Sequence, residues 1–96
     1  MKKKLILYGA SNFGDEVVQL FRDIDAAKGG SEWEITGFLD DDSDRTGLMR
    51  NGVPVLGTRA WIDKNMTEDL WFICVVGKPS ARAGLVKMMK AKKLRF

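Results

Sequence analysis

Hydrophobic positions along this chain follow two rhythms, a tight one that suits strands and a longer one that suits a helix. Leu5-Ile6-Leu7-Tyr8, entered from a lysine cluster, predicts a strand over residues 4–8. The short loop Gly9-Ala10-Ser11-Asn12-Phe13-Gly14 follows. From Asp15 to Ala27, apolar residues recur at Val17, Leu20, Phe21 and Ile24, which predicts a helix with those four on its buried face, stopped by Gly29-Gly30. Trp33 to Leu39 predicts a second strand, ended by the polar loop Asp40-Asp41-Asp42-Ser43-Asp44. In Asn51-Gly52-Val53-Pro54-Val55-Leu56-Gly57 a turn leads into a short extended piece. There Pro54, without an N–H, argues against a central strand. Thr58 is a candidate N-cap for a short helix through Lys64. The continuous apolar run Leu70–Val76 suits a strand covered on both faces. Pro79 then fits the first turn of a helix with Ala81, Leu85, Met88 and Met89 on its buried face. Leu94–Phe96 has the composition to begin a fourth strand.

Strands alternate with helices as β-α-β and then β-α, so the predicted class is α/β: three layers, with a short parallel sheet of three to four strands flanked by helices. Residues 1–96 read as one domain, with no linker, internal repeat or low-complexity segment. Right-handed crossovers place the first strand between the second and the third. In such a sheet the ligand crevice lies beyond the carboxyl ends of the strands, where the winding reverses. Three segments are expected to meet there: Gly9 to Gly14, Asp40 to Asp42, and Gly77-Lys78.

Composition narrows the chemistry. The 96 residues are 45% hydrophobic and 30% charged, enough for one modest core. No apolar run approaches the roughly 18 residues of a membrane span, and Leu5–Tyr8 is too short for a signal peptide, so a cytoplasmic chain is expected. One cysteine, Cys74, excludes an internal disulfide and reads as a packed thiol. The absence of histidine removes the commonest general base and metal ligand, which argues against hydrolysis or acyl transfer by this segment alone. Net charge is +3, but residues 70–96 carry 7 basic and no acidic side chains. Lys87, Lys90, Lys92, Lys93 and Arg95 come without interleaved aromatics, so they read as a solvated face and no nucleic-acid partner is expected.

The glycine loop is G-x-S-x-x-G where a dinucleotide fingerprint is G-x-G-x-x-G. Gly9 suits the tight turn and Gly14 the close packing of helix on strand. Ser11 replaces the glycine that lets backbone approach a pyrophosphate, which counts against NAD or FAD. Asp15 and Glu16 suit the helix dipole but repel a pyrophosphate on the same amides. The loop reads either as a nucleotide site or as a plain β–α turn. Asp40 and Asp41 are placed to accept from ribose hydroxyls or from a base N–H, whereas Asp42 and Asp44 read as a solvated turn. A calcium loop over Asp40, Asp42 and Asp44 lacks the glutamate it needs at Asn51, so no metal is expected. Lys78 and Arg82 flank the third strand's end and are candidates to neutralise a phosphate.

These pieces together resemble the N-terminal domain of sugar O- and N-acyltransferases of the PglD/NeuD type. The resemblance is carried by Leu5–Gly14, Ile35–Asp42, Asn51–Gly57, Val75-Val76-Gly77 and Lys90–Phe96, in order along nearly the whole chain. It implies a Rossmann-like domain that binds a UDP-sugar acceptor. In the implied parent, a bacterial enzyme, a left-handed β-helix of hexapeptide repeats follows, trimerises, binds acetyl-CoA and carries the catalytic histidine. By the same resemblance Ser11, Asn12 and Phe13 line the sugar-nucleotide, in a candidate site framed by Gly9 and Gly14. Asp40 and Asp41 read the uracil and ribose, Gly77 packs beneath the nucleotide, and Arg82 matches a basic position common after that glycine. Some members carry Gly-His where this chain has Asn12-Phe13. The expected function is therefore a UDP-sugar-binding domain with no cofactor and no catalytic residue of its own, within an acetyl-transferring homotrimer. The alternatives are a module binding NAD(H) or CoA and a structural domain without a ligand.

Overall fold

β1 (Lys3–Tyr8) organises the molecule. In the computed structural model, which describes residues 3–28, 33–67, 69–92 and 94–95, the side chains of β1 alternate between the two faces of a sheet. Leu5 and Leu7 join Val18, Phe38, Val55 and Val75 in one core, under α1 (Asn12–Lys28). Ile6 and Tyr8 join Leu39, Ile62, Phe72, Leu85 and Met89 in the other. That second core lies under α2 (Ala60–Asn65) and α3 (Pro79–Ala91). β1 pairs in parallel with β2 (Trp33–Leu39) and with β5 (Leu70–Cys74), as the crossover rule requires. Among the described residues, no helix is long and apolar enough to cross a membrane.

The sheet has five strands in the order β3-β4-β2-β1-β5, more than the sequence pattern predicts. β3 (Met49–Arg50) and β4 (Val53–Gly57) form a hairpin through Asn51 and Gly52, whose φ values of 55° and 79° make the type I′ turn that this dipeptide favours. Pro54 therefore lies in an interior strand, against expectation. It is tolerated because β4 meets β2 only from Phe38↔Val55 onward, and Val55 rather than Pro54 donates to Leu48 O, at 2.8 Å.

Two helix expectations are also corrected. α1 begins at Asn12, not Asp15, because Ser11 O already accepts from Asp15 N at 3.0 Å, so Phe13 and Gly14 sit in its first turn. Its buried stripe is rotated from the predicted one. Gly14 approaches so closely that a Cβ there would lie 2.7 Å from both Gly9 O and Phe38 Cε1. That contact turns Val18 onto the sheet and leaves Leu20 56% and Ile24 37% exposed. The predicted helix stop at Gly29-Gly30 lies outside the described residues. Leu94 and Arg95 run beside β5, where Phe72 N donates to Arg95 O at 2.7 Å, but they form no assigned strand, and Phe96 lies outside the description.

Candidate functional site

The strand order makes the junction of β1 and β5 the place where the winding reverses. Three bonds lash the carboxyl ends together: Val75 N donates to Tyr8 O at 2.9 Å, Gly9 N to Leu39 O at 2.7 Å, and Asp40 N to Gly57 O at 3.0 Å. Beyond them the chains part. Gly9 turns away with φ 122°, a conformation that L side chains rarely adopt. A cleft of about 440 Å³ opens there. Tyr8, Gly9, Asp40, Asp41 and Arg59 line it from the ends of β1, β2 and the β4–α2 turn, and Val76, Ser80, Ala81, Gly84 and Leu85 from the end of β5 and from α3. That size lies within the roughly 300–1,000 Å³ usual for small-molecule sites. The α3 wall is low because its residues are small. A Cβ on Gly84 would meet nothing within 4 Å.

The two adjacent aspartates have different work. Asp40 is spent on the scaffold. Its Oδ2 accepts from Ala10 N at 2.9 Å and from Arg45 Nη1 at 3.2 Å, and its Oδ1 accepts from Asp42 N at 2.9 Å. Arg45 Nη1 also donates to Ala10 O at 2.7 Å, so Asp40 and Arg45 together clamp the glycine loop. Asp42 accepts from Asp44 N at 3.0 Å and opens the single 3-10 turn of Ser43–Arg45.

Asp41 stands at the cleft's rim. Arg59 donates to it through Nε at 3.2 Å and Nη2 at 2.7 Å, and the buried Tyr8 O–H donates to its Oδ1. Arg59's hydrogen bonds, with help from Tyr8, hold the Asp41 carboxyl below the usual carboxylate range, and the same pairing raises Arg59 further. Burial, then the hydrogen bond to Asp41, pushes the Tyr8 hydroxyl well above its ordinary value. The ion pair itself, half exposed on both sides, contributes at most about 1 kcal/mol.

The signs of these shifts set the pH response. Asp41's share of stability is complete above its unfolded value of 3.8 and is lost as pH falls through its lower folded value. Tyr8's share is complete below its unfolded value of 10.0 and is lost as pH climbs towards its higher folded value. Denaturant unfolding at stepped alkaline pH is expected to show the wild type losing about 1.4 kcal/mol more per pH unit above 10.0 than Tyr8→Phe loses. At neutral pH the variant is expected to be less stable by about 1–3 kcal/mol. Identical alkaline slopes would remove Tyr8 from this account.

Of the residues proposed from sequence, Gly9, Asp40 and Asp41 line the cleft. Gly14 is packing, at the contact between α1 and the strands. Ser11 sits at the head of α1 with its Oγ 3.5 Å from Val75 O, while Asn12 and Phe13 point outward on the first turn. Gly77 and Lys78 form the exposed β5–α3 turn outside the cleft's wall. Arg82 lies on another face of α3, with Val86, Lys87 and Lys90. Tyr8, Arg59, Ser80 and Gly84 were not anticipated, although the apolar run Leu5–Tyr8 ends on a residue with a polar tip where the strand meets the crevice. The loop is also poorly suited to a dinucleotide: Ala10 N–H already carries the Asp40 carboxylate, and Ser11 brings a side chain where the fingerprint has none.

Residues 4–89 match the family model of the PglD N-terminal domain. No curated protein matches the chain. Among solved structures it is similar to UDP-D-quinovosamine 4-dehydrogenase from Vibrio fischeri, with 21% sequence identity over 96% of this chain and 72% of that one, and a TM-score of 0.66. At that identity the likeness shows the fold, a Rossmann-like α/β domain.

Proposed function

The chain belongs to the PglD N-terminal domain family, and from that membership and the geometry of the cleft we propose that it binds a UDP-sugar. The observation that carries this reading is the cleft at the β1/β5 switch point, with Gly9, Asp41 and Arg59 meeting the low wall of Ala81 and Gly84. The similar Vibrio fischeri protein is named for a UDP-sugar substrate, which supports the ligand class. In the fuller proposal the domain holds the acceptor sugar of a bacterial, cytoplasmic acetyltransferase. Acetyl passes from acetyl-CoA to a sugar amine or hydroxyl in a trimerised β-helix outside these 96 residues. The part played here is positioning, which lowers the barrier by holding the acceptor group in line. Asp41 is the carboxylate offered to the ribose or the base. Asp40 supports the loop beneath and reaches the ligand only through the backbone it fixes.

Calorimetric titration of the 96-residue chain with UDP and with NADH tests this. UDP is expected to bind and NADH to bind at least about tenfold more weakly, a difference of about 1.4 kcal/mol. Asp41→Asn is expected to weaken UDP by about tenfold with the fold retained, the cost of one charge-assisted hydrogen bond. A response to NADH alone, or to neither nucleotide, overturns the proposal.

A further inference from the structure

We propose that Arg59 recognises the ligand's phosphate, an inference that rests on the nucleotide reading above. Arg59 is the only cationic side chain among the described residues lining the cleft, beside two carboxylates. A nucleoside diphosphate entering there meets two carboxylates already paired with Arg45 and Arg59, and something must offset its own charge. Lys78 and Arg82 do not reach the cleft, and Arg45 is committed to Ala10 O and Asp40.

Arg59 is already aimed. Its Nε and Nη2 donate side-on to Asp41. A guanidinium held along one edge presents its remaining N–H groups as a second, rigid edge. Two parallel donors of that kind match a phosphate. Asp41 thus fixes the orientation of the fork before a ligand arrives, and Tyr8, buried and bonded to Asp41, fixes Asp41 in turn. The arrangement spares the side-chain entropy that ordering a free arginine on binding would cost. Asp41 then has two roles, one towards the nucleoside and one as the brace of the phosphate reader.

Titrations with uridine, UMP and UDP of the wild type, Arg59→Gln and Arg59→Lys distinguish these roles. In the wild type, affinity is expected to rise with each added phosphate. Arg59→Gln is expected to lose about 10- to 100-fold in UDP affinity, and to change uridine affinity less than about 3-fold, because the lost contact is a charge-assisted one to phosphate. Arg59→Lys, which keeps the charge without the fork, is expected to fall between. The salt dependence of UDP binding is expected to flatten in Arg59→Gln and to survive in Arg59→Lys. Equal losses for uridine and UDP, no loss, or tighter uridine binding would each overturn the inference, since Arg59 would then act on the nucleoside or merely cap Asp41. A wild type that binds none of the three defeats the nucleotide reading itself, an outcome distinct from those. Arg59 is half exposed, so both variants are expected to melt close to the wild type.

Discussion

Gly84→Leu is expected to abolish UDP binding without lowering the domain's melting temperature. Gly84 is in the second turn of α3, one turn beyond Ala81, on the wall that faces the ends of β1 and β2. A Cβ there meets no atom within 4 Å, so a side chain can start from this position without displacing the backbone or its neighbours. It also removes a glycine from a helix interior, which stabilises by about 0.5–1 kcal/mol. The added isobutyl group can reach into the cleft, next to Leu85 and Val76, and contact with those apolar neighbours favours it there over solvent. Ligand and side chain then compete for one volume, and a loss of UDP affinity of at least about 100-fold is expected, the equivalent of roughly 3 kcal/mol. Gly84→Ala serves as the control: similar stability, with a smaller loss of binding. Undiminished UDP affinity in the leucine variant would show that the nucleotide binds elsewhere.

The wall of Ala81 and Gly84 is not legible in the hydrophobic periodicity of α3. Ala81 and Leu85 were expected on one buried face. Leu85 is buried, while Ala81 is exposed where the cleft opens between α3 and the strand ends. Periodicity gives the face of a helix, not its local distance from the sheet. The same limit explains α1. The stripe Val17, Leu20, Phe21 and Ile24 is a good amphipathic pattern, yet a single close contact at Gly14 decides the rotation and leaves Leu20 outside.

Arg59 was missed for a different reason. Pro54 argues against an interior strand, and the carboxyl end of a segment not read as a strand contributes no site residue. With Val53–Gly57 as a strand, the crevice rule puts Thr58 and Arg59 beside Asp40 and Asp41. What the sequence did make legible was the order of the central strands, the meeting of the Gly9 loop with the β2 aspartates, and the two structural glycines. Each of these follows from chain connectivity or from backbone sterics. The division of labour between Asp40 and Asp41 was not legible, because it depends on which way each side chain leaves the strand's end. Asp40 turns inward to Ala10 N and Arg45, and Asp41 outward to Tyr8 and Arg59.

Gly14→Ala is expected to destabilise the domain by about 1–3 kcal/mol, opposite in sign to the same change at Gly84. Both glycines lie in helices, so propensity favours alanine at the two positions. The difference is tertiary. A methyl at Gly14 would sit 2.7 Å from the carbonyl oxygen of Gly9 and 2.7 Å from the buried Phe38 ring, with Val75 Cγ2 at 3.4 Å. None of these yields readily. Gly9 is held by its N–H to Leu39 O at 2.7 Å and by its φ of 122°, and Phe38 is fully buried between α1 and the sheet. Relief therefore requires α1 as a whole to move outward, opening the core shared by Val18, Leu5 and Leu7. A domain of this size has about 5–14 kcal/mol in all, so the loss is a sizeable fraction of its stability. At about 4–8 °C per kcal/mol it is easily read in a melting curve. Gly14→Val, with more volume in the same place, is expected to cost more than alanine. Alanine at both positions tests the physics directly: if Gly14→Ala were as stable as Gly84→Ala, the contact between α1 and the Gly9 carbonyl would not be what positions the loop at the cleft's floor.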